Sequence, residues 1–219
     1  MRKNSFAPKQ ARSRESLERL MTSAREILNE KGIEGATVPR VAARAGLSAG
    51  SVYRRFPNKD ALMRAVILET LETLDAAVVS GLTPELAERL SLKAFAEAIV
   101  RHRLVSQRKN ARMLRAMLQF TMSRANASFK KKVDELNARS LQRVADFLLL
   151  KRSEMSHPDP KKALPYALLL VGAVLQQIVV LEAHPGVPDA RVPRTDDELV
   201  EELTRAFLAY LGAEQRPHA

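Results

Sequence analysis

A chain of 219 residues has room for a small domain and a larger one, and 46% hydrophobic residues are enough to build a core. Aromatic residues make up only 5% and Trp is absent, whereas alanine and leucine are frequent, so we predict an all-α fold. The net charge of +11 favours an acidic partner, and the absence of cysteine excludes disulfides, a thiol nucleophile and thiolate metal ligands.

The N-terminal segment is strongly basic. Residues 1–14 carry five Lys or Arg and no acidic residue, which predicts a flexible arm that follows DNA or enters its minor groove. An ordinary flexible tail is the alternative. Residues 1–60 hold 13 basic and 6 acidic residues, so a net charge of +7 is concentrated there. No apolar stretch follows the arm, and we therefore expect no secretory signal peptide and a cytoplasmic location.

The first predicted helix spans residues 13–31, where apolar residues recur at helical spacing. Gly32 suits the position just beyond the C-terminus of this helix, because glycine adopts a left-handed conformation easily. We expect the apolar face of this helix to pack on the two short helices that follow.

Residues 37–62 predict two short helices joined by a tight turn. Ala42 lets the helices approach each other, Gly46 supplies the turn, and Val52 fills the contact. This is the helix-turn-helix arrangement, in which the second helix enters the DNA major groove. A plain αα-hairpin is the alternative, but it leaves the polar positions unexplained. With the first helix, the motif predicts a three-helix DNA-binding domain over residues 13–58.

The polar residues of this segment fall where a DNA-binding surface requires them. Thr37 and Ser48 are predicted N-caps, and helix N-termini offer N–H groups to phosphates. Tyr53 can contact the sugar-phosphate backbone. Arg54 and Arg55 point to different sides of the helix, so that one reaches a phosphate or a guanine edge. The predicted site also includes small residues at the start of the second helix and a lysine after it: Ala49, Gly50, Ser51 and Lys59.

Three motifs in this segment resemble the DNA-binding domain of the TetR/AcrR transcriptional regulators. They are A-x-x-A-G-L-S, G-x-V-Y-x-x-F and N-K-D-x-L, in this order and at the spacings of the family. The resemblance covers about residues 13–68, and the remainder is similar to the family only in length and helical character. It implies a homodimer, usually a repressor, with a larger C-terminal helical domain for dimerisation and for a ligand that releases the DNA.

The resemblance also implies roles for individual residues. Phosphate contacts are implied for Thr37, Ser48, Tyr53 and Lys59. Contacts with bases are implied for Ala49, Gly50, Ser51 and Arg40. Pro39 departs from the family pattern, but proline is tolerated in a first helical turn because its missing N–H would be unpaired there. It removes a polar side chain from the site, so we expect Arg40 to contribute more to binding.

The rest of the chain is predicted to be helical. A helix over residues 59–80, capped by Asn58, connects the two domains. Residues 81–212 form the predicted ligand-binding and dimerisation domain. Its first helices are expected over residues 86–105, 110–124 and 127–152, where apolar residues recur at helical spacing.

The last two helices, residues 163–181 and 196–211, are predicted to form the homodimer interface. The first is the most apolar segment of the chain, and a membrane span needs about 20 apolar residues. Two glutamines interrupt it and two lysines precede it, so we expect a buried helix that also contacts a second subunit, and no membrane partner. Thr195 and Glu198 form a capping box that opens the second helix.

A small-molecule effector is expected between the helices of residues 86–181. Methionine adapts to irregular cavities, although each methionine taken alone is more readily explained as core. An amide inside an apolar helix needs a partner, which could be a ligand, a water or the other subunit. The candidate pocket residues are Phe95, Met113, Met117, Phe120 and Gln176.

The sequence contains no recognisable catalytic or metal-binding motif. The four histidines have no second His or Cys at metal-ligand spacing, and H-E-x-x-H, G-x-S-x-G, the P-loop and G-x-G-x-x-G are absent. We therefore predict no enzyme, no cofactor and no metal site. The prediction is a ligand-released repressor that binds a palindromic operator in double-stranded DNA. An activator or ligand-independent regulator of the same fold, a non-specific architectural DNA-binding protein and a helical scaffold without DNA binding remain alternatives.

Overall fold

The computed structural model describes residues 9–123, 126–180 and 195–213, and within these ranges the chain forms helices, turns and short loops without a β-strand. Of the predicted arm, residues 1–8 lie outside the described residues. A 3-10 segment, Leu149–Glu154, follows α7, and a π-helical turn, Gln176–Val180, follows α8. The all-α prediction is confirmed. The helices are α1 (Lys9–Gly35), α2 (Val38–Arg44), α3 (Ala49–Tyr53), α4 (Lys59–Gly81), α5 (Pro84–Arg89), α6 (Leu92–Ser123), α7 (Ala127–Leu148), α8 (Pro160–Leu175) and α9 (Asp196–Tyr210).

The chain divides into two compact units. Unit 1 contains Met1–Thr70 and Arg112–Lys130, and unit 2 contains Leu71–Ala111 and Lys131–Ala219. Helices α4, α6 and α7 therefore each contribute residues to both units. The predicted connecting helix, residues 59–80, corresponds to α4. The division into a DNA-binding domain, a connecting helix and a ligand-binding and dimerisation domain remains a prediction.

The core of unit 1 is formed by the apolar faces of its helices. Leu20 and Ile27 on α1, Val52 on α3 and Met63 on α4 have no exposed surface. Helix α1 bends at Gly32, whose φ of 65° lies in the left-handed region that glycine adopts at little cost. The helix end predicted at Gly32 is thus a bend, after which the helix continues for a short turn.

The core of unit 2 is formed by α6, α7, α8 and α9. Phe95 on α6 packs against Phe147 on α7, with the ring centroids 5.0 Å apart. The predicted capping box of α9 is confirmed. Thr195 Oγ1 accepts from the Glu198 N–H and the Glu198 carboxylate accepts from the Thr195 N–H, both at 3.2 Å.

Three helix boundaries between residues 84 and 154 differ from the prediction. Helix α5 ends at Arg89 because Leu90 is extended, so a separate helix precedes α6. Helix α6 continues through the expected break and only bends, at Asn110, whose side-chain amide donates to the Ser106 carbonyl at 2.9 Å. Helix α7 ends at Leu148 and continues as the 3-10 segment.

Helix α8 and the π-helical turn form the most apolar helical stretch described. By length and composition alone Pro160–Val180 could cross a membrane, with a mean hydropathy of 2.0, and 44% of its most apolar part is buried within the chain. A core helix of a soluble protein has the same properties. Gln176 and Gln177 are both exposed. Of the partners that the sequence left open for these amides, water is therefore available in the single chain.

Candidate nucleic-acid interface

The turn between α2 and α3 has the geometry that the sequence predicts. Gly46 has a φ of 68°, and the Leu47 N–H donates to the Ala42 carbonyl at 2.9 Å, which closes the turn. Ala42 and Val52, the residues predicted at the contact between the helices, are both buried. The relative orientation of α2 and α3 is thus fixed by a backbone turn and an apolar contact, as a helix-turn-helix requires.

The N-termini of the helices differ in their capping. Ser48 Oγ accepts from the Ser51 N–H at 3.1 Å, and Asn58 Oδ1 accepts from the Ala61 N–H at 2.9 Å, so these two predicted caps are confirmed. Thr37 occupies the N-cap position of α2, but its side chain makes no capping hydrogen bond. The predicted N-cap position of Thr37 is therefore confirmed, without a side-chain hydrogen bond. This residue is exposed, which leaves the first turn of α2 open to an external acceptor.

A row of polar groups follows the exposed side of α3. Ser51 Oγ lies 2.8 Å from Ser48 Oγ and accepts from Arg54 Nη2 at 2.9 Å. Tyr53 is 48% exposed. Gly50 is exposed as well, and a Cβ at this position would meet no atom within 4 Å. The start of α3 therefore presents small residues and hydrogen-bonding groups to solvent.

Arg55 extends towards α1. Its Nη2 donates to the Ser13 carbonyl at 3.3 Å, to Ser13 Oγ at 3.1 Å and to Ser16 Oγ at 2.9 Å. A hollow of about 210 Å³ lies between α1 and α3, and its lining includes Ser16, Ser51, Arg54 and Arg55. Sequence reasoning did not identify Ser13 and Ser16, because they are about 40 positions from Arg55 and no local pattern links them.

Six arginines of unit 1 fall into two classes. Three pair with carboxylates at 2.7–2.9 Å: Arg19 with Glu15, Arg25 with Glu69, and Arg44 with Glu30. Three others, Arg40, Arg54 and Arg55, bond only to carbonyl or hydroxyl oxygens within the described part of the chain. The charge of the second class is therefore not compensated by a neighbouring acid.

The ion pair between Arg44 and Glu30 shows the difference most clearly. Both nitrogens of the Arg44 fork donate to the two Glu30 oxygens at 2.7 Å. This hydrogen bonding lowers the pKa of Glu30 and raises the pKa of Arg44. The Arg44 charge thus has its partner within the chain, and it joins α2 to α1.

Arg40 and Lys59 lie at the edges of the helix-turn-helix. Arg40 Nη1 donates to the Gly35 carbonyl at 2.6 Å, and its side chain is exposed. Lys59 is half-buried at the start of α4. All predicted DNA-binding residues belong to unit 1: Thr37, Arg40, Ser48, Ala49, Gly50, Ser51, Tyr53, Arg54, Arg55 and Lys59.

The predicted ligand-pocket residues are divided between the two units. Met113, Met117 and Phe120 are buried in unit 1, where Phe120 packs edge-on against Phe129 with a centroid distance of 5.9 Å. Phe95 is buried in the core of unit 2, and Gln176 is exposed. Four of the five residues thus have a place in a hydrophobic core, and their role in ligand binding remains a prediction.

Comparison with known proteins identifies relatives of this chain. Residues 20–66 match the family of bacterial regulatory proteins described as the tetR family. The HTH-type transcriptional regulator BetI of Cronobacter sakazakii is 28% identical over 122 residues, which cover 56% of this chain and 59% of that protein. The match therefore spans less than two thirds of the length of this relative.

Solved structures with a similar fold cover nearly the whole chain. A TetR-family transcriptional regulator from Mesorhizobium loti has a TM-score of 0.70 and 19% identity, covering 94% of this chain and 98% of its own. The transcriptional regulator FadR from Bacillus subtilis, solved in complex with stearoyl-CoA, has a TM-score of 0.60 and 14% identity, covering 90% and 98%. At these identities the likeness shows the fold alone.

Proposed function

This chain belongs to the TetR family of DNA-binding transcriptional regulators, and we propose that it is a repressor that binds a palindromic operator as a homodimer and dissociates when a small ligand binds. The observation that carries the proposal is the set of exposed arginines without a carboxylate partner among the described residues: Arg40, Arg54 and Arg55. Arg54 and Arg55 directly follow α3, and Arg40 lies on α2. A polyanion such as DNA supplies the missing partner.

Base recognition is proposed for the start of α3. Gly50 has no side chain and Ser51 has a short one, so the backbone can approach base edges in the major groove closely. Arg54 now donates to the neutral Ser51 hydroxyl. A phosphate can replace that acceptor, since a hydrogen bond between two charged groups is stronger than one to a neutral oxygen. A guanine edge can replace it because guanine O6 and N7 accept two hydrogen bonds from one guanidinium.

Backbone contacts are proposed for the residues around α3. The Thr37 side chain makes no capping hydrogen bond, and the Tyr53 ring is exposed next to Arg54 in the sequence. Arg55 uses one nitrogen to bind α1, and a guanidinium has five N–H donors in total, so donors remain for a phosphate. These contacts would position the helix on DNA, while the start of α3 selects the sequence.

Dimerisation is proposed through α8 and α9. Tyr166, Leu169, Leu170 and Val174 on α8 are between 39% and 55% exposed, and Tyr210 on α9 lies 5.6 Å from Tyr166 between ring centroids. The two helices thus present one apolar surface, and exposed apolar surfaces of this kind favour association. A two-fold dimer explains a palindromic operator with half-sites about 34–36 Å apart.

Release by a ligand is proposed from the fold. FadR of Bacillus subtilis, which has a similar fold, was solved with stearoyl-CoA bound. A ligand shifts the equilibrium only if it binds the DNA-incompetent conformation more tightly than the DNA-bound one. The ligand of this chain should therefore lower operator affinity and, by linkage, bind more weakly to the operator complex.

The test is DNA binding by the purified full chain. DNA from upstream of its own gene is compared with a shuffled duplex of equal length across a salt series. The proposal expects selective binding that survives about 150 mM salt and exceeds binding to the shuffled DNA by roughly 10³-fold. Equal binding to both duplexes that collapses with salt, at this site and in a genome-wide site search, would contradict a sequence-specific regulator.

A further inference from the structure

The hollow between α1 and α3 has a lining that is partly apolar and partly cationic. Its volume of about 210 Å³ is more than ten times the roughly 10–15 Å³ of accessible space that one water molecule requires. The apolar part of the lining is buried or half-buried: Leu20, Leu47 and Val52. The polar part is half-buried or exposed: Ser16, Ser51, Arg54 and Arg55. The hollow therefore places charged and hydroxyl groups beside an apolar surface.

The two arginines give the hollow a positive charge, and none of the described residues that line it is acidic. Each of them uses Nη2 for hydrogen bonds within the chain, Arg54 to the Ser51 hydroxyl and Arg55 to hydroxyl and carbonyl oxygens of α1. A guanidinium has five N–H groups, so three on each arginine remain for another acceptor. Water hydrates these groups in the free protein. An anion in the hollow replaces that water with charge-assisted hydrogen bonds.

The position of the hollow indicates which anion it meets. Ser51 belongs to α3, the helix proposed to enter the major groove, whereas Ser16 belongs to α1. An α-helix with its side chains is about 10–12 Å wide, and the major groove is about 12 Å wide. The phosphates of the two DNA strands therefore run along the flanks of a bound helix. On the flank of α3 that faces α1, such a phosphate meets the hollow.

We propose that the hollow holds one sugar-phosphate unit of the DNA backbone, so that α1 belongs to the DNA-binding surface through Ser16. Arg54 and Arg55 donate their remaining N–H groups to the phosphate oxygens. The Ser16 hydroxyl, which donates to the Ser13 carbonyl at 2.9 Å, rotates and donates to the charged phosphate instead. The deoxyribose ring packs on the half-buried Leu47.

This inference rests on the proposed function in one respect, that α3 enters the major groove of DNA. A free sugar phosphate has the same chemistry and is the alternative occupant. The position beside α3 favours DNA, because the binding of that helix itself brings a backbone phosphate to the hollow. A backbone contact carries no sequence information, so it should strengthen binding to every duplex by a similar factor.

The first measurement compares two variants of α1 by fluorescence anisotropy with labelled operator. Ser16→Met removes the hydroxyl and fills part of the hollow, so we expect operator binding to weaken roughly 10-fold. Thr22→Met is the matched control. Thr22 is exposed on the same helix and accepts from Arg25 Nη2 at 3.1 Å, but it does not line the hollow. Its substitution should change the affinity less than about 2-fold. Equal affinity of the wild type and Ser16→Met overturns the inference.

The salt dependence separates a phosphate contact from a merely structural role of Ser16. Ser16→Met removes no charge from the protein. It should nevertheless lower the slope of log affinity against log salt by about one unit for each bound protomer, because one phosphate contact is lost. Weaker binding with an unchanged slope would mean that Ser16 only supports the position of α1, and this result also overturns the inference.

The phosphate itself is identified with neutral methylphosphonate groups, introduced one position at a time into each operator half-site. At one position the replacement should weaken wild-type binding roughly 10-fold and Ser16→Met binding less than about 2-fold, because the variant no longer contacts that phosphate. Equal effects on both proteins at every position overturn the inference. If 2-deoxyribose 5-phosphate then raises the Tm of the wild type and not of Ser16→Met, a free sugar phosphate is the occupant.

A second pair of variants keeps the test decisive if Ser16→Met does not fold. Ser16→Glu places a carboxylate beside Arg55 that excludes a phosphate, so operator binding should weaken roughly 100-fold or more. Thr22→Glu has the same net charge and should weaken binding less than about 5-fold. Equal operator binding by the two glutamate variants removes the hollow from the interface and leaves the regulator intact. A chain that prefers no sequence, but whose low-salt binding to any duplex falls only in Ser16→Glu, keeps the hollow and loses the regulatory role.

Discussion

The two units of this protein differ in where they leave charge without a partner. In unit 1 the uncompensated arginines, Arg54 and Arg55 among them, lie at the surface of the helix-turn-helix. On α6 in unit 2 the relation is reversed. The exposed Arg101 and Arg108 are paired with acids, whereas Arg103, which has no acid partner among the described residues, is half-buried.

This difference indicates two kinds of partner. An exposed group of uncompensated cations suits an extended polyanion, which stays partly hydrated when bound. Unit 2 also leaves apolar surface exposed on α8, where a second copy of the chain is the proposed partner.

The largest effect is expected for the proposed dimer surface. Leu169 on α8 is 55% exposed, and Leu169→Glu places a charge twice in a two-fold interface. We expect the dimer dissociation constant to rise roughly 100-fold or more, which static light scattering at micromolar concentration detects as a monomer. Val105→Glu is the control, since Val105 is also exposed, at 59%, but lies on α6. Equal dissociation in both variants, or in neither, argues against this surface.

The next effect concerns a single arginine of the helix-turn-helix. Arg54→Gln should weaken operator binding by about 10–100-fold, because each base or phosphate contact of an arginine contributes about 1–3 kcal/mol. Arg44→Gln removes the same charge from the same motif, but Arg44 is already paired with Glu30. Fluorescence anisotropy with labelled operator should show a change of less than about 3-fold for this control. A similar loss in both variants would erase the distinction between paired and unpaired arginines.

Sequence patterns predicted the framework of the candidate site. Residues a few positions apart form the turn at Gly46 and the caps at Ser48 and Asn58, so local chemistry determines these features. The same holds in unit 2 for the capping box at Thr195. The same locality explains why the helical character of the whole chain was predictable.

The partners of the arginines were not predictable in the same way. Arg55 binds Ser13 and Ser16 about 40 positions away, and Arg103 meets Gly172 across the core of unit 2. Whether an arginine has a carboxylate partner depends on tertiary packing, and the spacing of apolar residues along the sequence does not show this packing. The exposure of Gln176 was missed for a related reason, since an apolar run does not say which side of a helix is covered.

A smaller effect compares paired and unpaired arginines within unit 2. Arg143 Nη1 lies 2.5 Å from Oδ2 of Asp75, whose side chain is buried. Arg143→Met should lower the free energy of unfolding by about 1–2 kcal/mol, because Asp75 then keeps only the longer contact to Arg139. Arg103→Met should change this free energy by less than about 0.5 kcal/mol, because Arg103 is half-buried and has no acid partner among the described residues. Urea unfolding measures both, and two destabilising substitutions would remove the distinction.

The smallest effect is a pH dependence in unit 1. Arg44 lowers the pKa of Glu30 in the folded chain. At pH values between the folded and the unfolded pKa, the unfolded chain therefore binds more protons than the folded chain. The stabilisation from ionised Glu30 is present above the unfolded pKa of about 4.3 and is lost as the pH falls through the lower folded value. The Tm difference between the wild type and Arg44→Gln should therefore shrink from pH 7 to about pH 3. A difference that stays constant over this range contradicts the assignment.

The most direct test of the account compares two triple variants of equal net charge. Arg40, Arg54 and Arg55 are replaced by Gln in one, and the acid-paired Arg19, Arg25 and Arg44 in the other. The measurement is the slope of log affinity against log salt for operator DNA, with circular dichroism confirming equal helicity. We expect the first variant to lose up to about 3 units of slope, roughly one for each arginine that contacts a phosphate, and the second to keep the wild-type slope. Equal loss of slope in the two variants would show that net charge alone, and not the unpaired arginines, determines DNA binding.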